Sequence, residues 1–260
     1  MIRSLWTAAT GMEAQQLEQD VVANNLANVN TVGFKRSRAD FQDLMYQISS
    51  KAGAELTTGV QLPVGIEVGM GVKSVATQKM FSQGDYQQTG NKFDLAIEGD
   101  GFFQLDDNGN TVYTRAGNFK INKDGVLCNS DGLRLMPEIA IPAEAVNFTV
   151  DSGGTWTASD KAGTSLATGR IELARFLNPA GLTSLGRNLF STTDASGDAT
   201  TGYPGETGMG TIAQNFLEMS NVSVVEEMVK MIVGQRAYEI NSKAIQTADN
   251  MLSMVNNLKR

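Results

Sequence analysis

Two stretches of apolar residues spaced by alternating steps of three and four, one near each end, enclose a middle in which apolar residues fall on every second place. Near the amino end the stepped positions are Leu5, Ala8, Met12, Gln15, Gln19, Val22, Leu26 and Val29. Near the carboxyl end they are Val224, Met228, Met231, Gln235, Tyr238, Ser242, Ile245, Ala248, Leu252 and Val255. This seven-residue period lines up one face of a helix against a partner helix. Asn24, Asn25, Asn28 and Asn30 weaken the end of the first helix, because asparagine competes for backbone hydrogen bonds, and Gly33 offers a stop. The second helix has Ser223 as a cap and the acid-before-base pairs Glu226 with Lys230 and Glu239 with Lys243, each worth about 0.2–0.5 kcal/mol on an exposed face. At 1.5 Å per residue the two would reach roughly 40 and 50 Å, too long to be wrapped by one ordinary domain. They are expected to pack on each other. The polar residues on the seam favour register-fixing among several chains. An intramolecular helical hairpin tolerates them as well, and the pattern leaves both arrangements open.

Between the helices the period drops to two. Val60, Leu62, Val64, Ile66, Val68, Met70 and Val72 alternate, with Gly65, Gly69 and Gly71 marking kinks or bulges. Further on, short apolar runs are separated by turn signals at Gly99-Asp100-Gly101, Asp107-Asn108-Gly109-Asn110, Lys123-Asp124-Gly125 and Asp131-Gly132, the signature of an antiparallel meander. A later strand is predicted over 171–176, and the Gly, Thr, Ser and Asp-rich stretch 192–210 reads as surface loop. The expected fold class is α+β, with paired long N- and C-terminal helices forming a coiled-coil stalk and an all-β middle domain inserted between them. The expected division is 1–35 with 222–260 as a terminal helical assembly domain, 36–75 with 205–221 as an extended connecting region, and 76–204 as the antiparallel β domain.

The chain contains no histidine, which removes Ser-His-Asp triads, Cys-His pairs and imidazole metal ligands. Cys128 is the sole cysteine, so cysteine-rich metal sites are excluded and a small buried apolar role is expected of it. A net charge of −7 disfavours a nucleic-acid surface. Gly99-Asp100-Gly101 lacks the third glycine of a dinucleotide fingerprint and reads as a hairpin turn. Asp106-Asp107-Asn108-Gly109-Asn110 fails as a calcium loop, because Thr111 and Gly117 stand where a glycine and a bidentate acid are needed. The glycosylation triplets at Asn147 and Asn221 are of a kind expected by chance, and Lys35-Arg36-Ser37-Arg38 reads as a solvated basic cluster. No catalytic residue, cofactor or metal site is assigned. The first residues lack an apolar secretory core, and no run is apolar enough to span a membrane. A pair of carboxylates could still serve a secreted β-rich glycan-acting hydrolase, although nothing marks which acids those would be.

Ala23-Asn24-Asn25-Leu26-Ala27-Asn28-Val29-Asn30-Thr31-Val32-Gly33-Phe34-Lys35 resembles the amino-terminal signature of the flagellar rod and hook protein family. Ser220-Asn221-Val222-Ser223-Val224-Val225-Glu226-Glu227-Met228-Val229 and Gln235-Arg236-Ala237-Tyr238-Glu239-Ile240-Asn241-Ser242-Lys243 resemble its carboxyl-terminal signature, and Ala96-Ile97-Glu98-Gly99-Asp100-Gly101-Phe102-Phe103 its central β motif. The opening six residues, the length and the segment through Tyr46, Leu62 and Pro63 are similar to the distal-rod branch, with proximal rod and hook subunits as the nearest alternatives. The resemblance implies a structural subunit, exported unfolded by the flagellar type III apparatus without a cleaved signal. Such subunits assemble helically into a hollow driveshaft through the periplasm that carries torque from motor to hook. Implied partners are other copies of the chain, proximal rod proteins, hook protein, P-ring and L-ring proteins and a rod cap, with no nucleic acid and no membrane insertion. Self-assembly is expected of Leu5, Met12, Val22, Leu26, Val29, Val224, Met228, Met231, Tyr238, Ile245 and Leu252. The turn leaving the first helix is expected of Asn24, Asn25, Asn28, Gly33 and Phe34, and inter-subunit contact of Tyr46, Leu62 and Pro63.

Overall fold

The computed structural model describes residues 2–51, 55–57, 60–61, 63–206 and 208–258. Two long helices and many short strands make the chain α+β. It divides into two compact units, the first made of Met1–Leu26, Ser37–Gln78 and Ser223–Arg260, the second of Ala27–Arg36 and Lys79–Val222.

In the first unit, α1 (Ile2–Ala27) and α2 (Val224–Leu258) touch at three levels. Gly11 lies against Asn241, Gly234 lies against Gln15 and Gln19, and Asn25 bonds to Glu227. Numbers rise along α1 as they fall along α2, so the pair is antiparallel. The helix ends earlier than the apolar period suggests. Val29, expected on the first helix, lies instead in the turn that follows, where the Thr31 N–H donates to the Asn28 carbonyl and the Thr31 hydroxyl to the Asn28 side chain. The run of asparagines explains this, since such side chains satisfy turns better than helices. Much of the rest of the unit, among the described residues, is extended. Ser37–Asp43 pairs with Val72–Lys79, and Tyr46–Ser50 pairs antiparallel with Ile66–Gly69, beyond which Glu55–Thr57 pairs with Val60–Gln61. Within the alternating stretch Val60–Gln61 and Ile66–Gly69 are strands and Val72 opens another, while Val64 and Met70 lie outside strands; nor does the alternation mark burial, since Val64, Ile66 and Val68 are all exposed. Leu62 lies outside the described residues.

The second unit is built on a nine-stranded sheet among the described residues, whose strands pair antiparallel. Phe102–Asp107 lies inside it, paired with Asn110–Thr114, Arg134–Met136 and Leu173–Arg175. Asn108 and Gly109, both with positive φ, close the Phe102–Asp107/Asn110–Thr114 hairpin as the Asn-Gly signal predicts. Two apolar clusters fill the unit. One gathers Leu95, Ile97, Phe103, Leu105, Phe119 and Leu173 with Trp156, and the other packs Phe102, Tyr113, Phe176 and Phe190 edge to face. Cys128 is buried, and burial pushes its thiol up, as suits a small apolar residue.

Two expectations from the middle of the chain are corrected. Gly99-Asp100-Gly101 does not close a hairpin: Leu95–Glu98 before it pairs with Thr211–Gln214, whereas Phe102–Asp107 after it belongs to the nine-stranded sheet. The turn is a corner between sheets, and both glycines take positive φ to make it. Nor is 192–210 simply surface loop, because Thr200–Gly202 pairs with Leu173–Arg175, Ser196 is buried and Met209 joins the first apolar cluster. Small polar residues serve a short strand when the neighbouring strand supplies the apolar face.

Phe103 is fully buried, with its ring edge-on to Phe119 at 5.1 Å. Phe103→Ala is expected to destabilise the second unit by about 3–5 kcal/mol, measured as a lowered urea midpoint followed through the fluorescence of buried Trp156.

Candidate functional site

The second half of the amino-terminal signature forms a turn within the second unit. Gly33 adopts φ +70°, and a Cβ there would sit 2.6 Å from the Ala116 backbone nitrogen, so the position requires glycine for both conformation and space. Its N–H donates to the Glu218 carbonyl at 2.8 Å, and the Asn188 side chain donates to the Val32 carbonyl at 2.8 Å. Phe34 is buried beneath the Lys79 ammonium, 5.2 Å from its ring centroid.

Lys35 follows, and it is not the solvated base that its neighbours suggest. It is 1% exposed, with its Nζ donating to Glu218 Oε1 at 2.6 Å and to the Ser82 carbonyl at 2.8 Å. The other carboxylate oxygen of Glu218 accepts from Arg115 Nε at 2.7 Å, while the Gly84 N–H donates to Oε1 at 3.0 Å. Arg115 also donates from Nη1 to the Gly101 carbonyl and from Nη2 to the carbonyls of Ile97 and Gly99. Two cations and one anion are thus enclosed with nearly every donor and acceptor used, the condition under which buried charge is tolerated. Burial pushes the Glu218 carboxyl up, but Arg115 and Lys35 outweigh it and hold the group below the usual carboxylate range. Burial lowers Lys35 despite Glu218 beside it. Burial, with the Glu218 and Glu98 carboxylates nearby, pushes the Tyr86 phenol up to about 12. The rest of the basic cluster disperses: the Arg36 backbone N–H bonds to Asn221, and Arg38 forms an exposed pair with Asp40.

Asn221, in the carboxyl-terminal signature, directs its side chain inward to the Arg36 N–H, the carbonyls of Met80 and Ser82 and the Ser82 hydroxyl. It ties three separate segments together, which accounts for it without glycosylation. Asn25 does similar work in the first unit. Its side chain exchanges two hydrogen bonds with the Ser37 backbone, both 2.9 Å, and donates to Glu227 Oε2 at 3.1 Å. Asn28 forms the turn with Thr31, and Asn24 is exposed.

Of the residues expected to assemble, Val22 is buried, and Leu5, Met12, Leu26, Met231, Ile245 and Leu252 are half-buried. Val224, Met228 and Tyr238 are exposed, because the first half of α2 turns Glu227, Gly234 and Asn241 towards α1 instead. Tyr46 and Pro63 are exposed. The residues missed by sequence reasoning are Arg115, Glu218, Asn221 and Glu227. Asn221 and Glu227 stand in the carboxyl-terminal motif, but no local pattern marks Arg115 and Glu218, which matter only through what faces them.

Comparison with known proteins finds three family models along the chain. Residues 5–35 match the flagella basal body rod protein model, 96–158 the flagellar hook protein FlgE/F/G D1 domain, and 213–258 the flagellar basal body rod FlgEFG protein C-terminal model. The flagellar basal-body rod protein FlgG of Borreliella burgdorferi is 52% identical over 264 residues, covering 100% of both chains. This chain belongs to the flagellar basal-body rod protein family. FlgG proteins of Buchnera aphidicola subsp. Schizaphis graminum and Caulobacter vibrioides are each 45% identical, covering 99% of this chain and 100% of theirs. The chain is a structural rod subunit of the flagellar basal body, assembling with other flagellar components, and it is not an enzyme. The glycan-acting hydrolase considered from composition falls with that. Each of the three matched stretches of the rod protein supplies one member of the buried triad: Lys35, Arg115 and Glu218. No described helix is long and apolar enough to cross a membrane.

Glu218→Gln leaves two buried cations facing a neutral amide and is expected to cost the second unit about 3–5 kcal/mol at neutral pH. Because the folded carboxyl titrates below its unfolded value of about 4.3, its contribution is full above that pH and is lost as pH falls through the folded value. Urea midpoints between pH 6 and 2 should therefore fall less steeply in the variant than in the parent. Gly33→Ala, which adds a clash to a positive φ, is expected to destabilise the same unit by about 1–3 kcal/mol, measured by thermal denaturation.

Proposed function

We propose that the subunit polymerises helically into the distal rod, a hollow driveshaft crossing the periplasm and transmitting torque from the motor to the hook. The observation that carries this is the apolar surface of the first unit. Trp6, Val225, Val229, Ile232, Val233, Ile240, Met254 and Val255 are between 54% and 72% exposed along the two helices. Tyr46, Ile48, Val64 and Ile66 are similarly bare on the extended segment. A solitary soluble chain rarely leaves so much apolar side chain in water, and such surfaces mark association. Heterologous contacts repeated without closure generate a helix of subunits.

In this proposal α1 and α2 form a coiled-coil stalk, and the β-rich second unit is an inserted domain. The Tyr46, Leu62 and Pro63 segment touches adjacent subunits and contributes stiffness. The polar seam makes the helix pair weak alone, since ordering entropy opposes what one narrow face can bury. Helix ordering then accompanies polymerisation, which suits a chain exported unfolded through the flagellar type III channel. Its neighbours are proximal rod proteins, hook protein, the P-ring and L-ring proteins and a rod cap.

Leu26→Asp and Ile245→Asp place a charge on half-buried seam positions. Each is expected to abolish swimming and leave no distal rod in electron micrographs of basal bodies, while Trp156 fluorescence shows the second unit folded. Full-length rods and normal swim rings in both variants would overturn the assignment.

A further inference from the structure

The positions of α2 that meet α1, Glu227, Gly234 and Asn241, recur every seven residues, so their spacing does not say in which register the helices pair. Sliding one helix by seven residues, roughly 10 Å, brings an equivalent position of the same face back opposite α1. Something other than the seven-residue spacing must select the observed alignment. We infer that Asn25 and Glu227 are the register lock of the helix pair, with the close approaches at Gly11/Asn241 and Gly234/Gln15 and Gln19 as its secondary notches.

Asn25 is 1% exposed and Glu227 is fully buried, so both polar groups depend on each other. Asn25 Nδ2 donates to Glu227 Oε2 at 3.1 Å, and Lys230 Nζ donates to the other oxygen, Oε1, at 2.7 Å. Glu227 occupies the first turn of α2, where the unpaired N–H groups favour an anion. Asn25 is itself held by two hydrogen bonds to the Ser37 backbone, so its amide cannot swing to follow a displaced helix. A slip of one heptad would leave the carboxylate enclosed without its amide, which buried charge does not tolerate. The two notches are close approaches of the helices: a Cβ on Gly11 would lie 3.0 Å from Asn241 Nδ2, tighter than usual, and one on Gly234 would lie in ordinary contact, 3.4 Å from Gln15 Oε1. A single buried polar pair that trades stability for alignment is a known device in paired helices. The inference concerns pairing within one chain and does not depend on polymerisation.

The test uses the full chain with Cys128→Ala and two reporter pairs oxidised to disulfides by copper phenanthroline and oxygen. Gly11→Cys with Asn241→Cys reports the observed register, and Gly11→Cys with Ala248→Cys reports a slip of one heptad. The in-register pair is expected to cross-link more than tenfold faster than the slipped pair. Glu227→Gln, which keeps an acceptor for Asn25, should preserve that ratio. Asn25→Leu with Glu227→Leu should reduce it to below about threefold while the helical circular dichroism persists. A ratio still above tenfold in the double leucine variant would overturn the lock. Loss of the helical signal there would overturn it too, since apolar replacements must keep the pair and free only its alignment.

Discussion

A carboxylate enclosed between two cations holds the second unit in its fold. Glu218 binds Lys35 with one oxygen and Arg115 with the other. Lys35, Arg115 and Glu218 are far apart in the chain, so the pairing can form only when the amino-terminal turn, the body of the sheet and the late strand Phe216–Glu218 have all arrived. Buried charge makes this contact conditional. An aliphatic trio of the same volume would bury as well, but it would accept many neighbours, whereas a lysine or arginine enclosed without its anion is strongly unfavourable. The carbonyls of Ile97, Gly99 and Gly101 accept from Arg115, so the corner between sheets is shaped by the same requirement.

The first unit follows the opposite rule. Where the second closes its apolar side chains into clusters, the first leaves valines, isoleucines and methionines of α2 in water and places glycines, glutamines and asparagines where the helices meet. In the proposed assembly such a seam is weak alone and becomes ordered among copies of the chain, and the inferred lock keeps its alignment single.

Local pattern made much of this legible. The heptad steps located both helices, and Asn108-Gly109 located a hairpin, because each signal reflects a backbone conformation decided over a few residues. Partner-dependent features were misread. Lys35 stands beside Arg36 and Arg38 and looks solvated, yet only Glu218, distant in sequence, decides that it is buried. Gly99 and Gly101 signal a turn without saying that the strands on either side join different sheets. Residues 192–210 look too polar for structure, but the strand at 200–202 borrows its apolar face from Leu173 and its neighbours.

The sequence by itself determined the helix–strand–helix order, the absence of imidazole and multi-thiol chemistry, and membership of a family written in motifs at both ends. These follow from residue identity and short-range spacing. Tertiary structure alone decided which charges are buried, which face of α2 meets α1 and which apolar residues remain uncovered. Those depend on contacts between residues as much as 230 positions apart, as at Gly11 and Asn241, and the free energy of burying a charge or an amide is set by what encloses it.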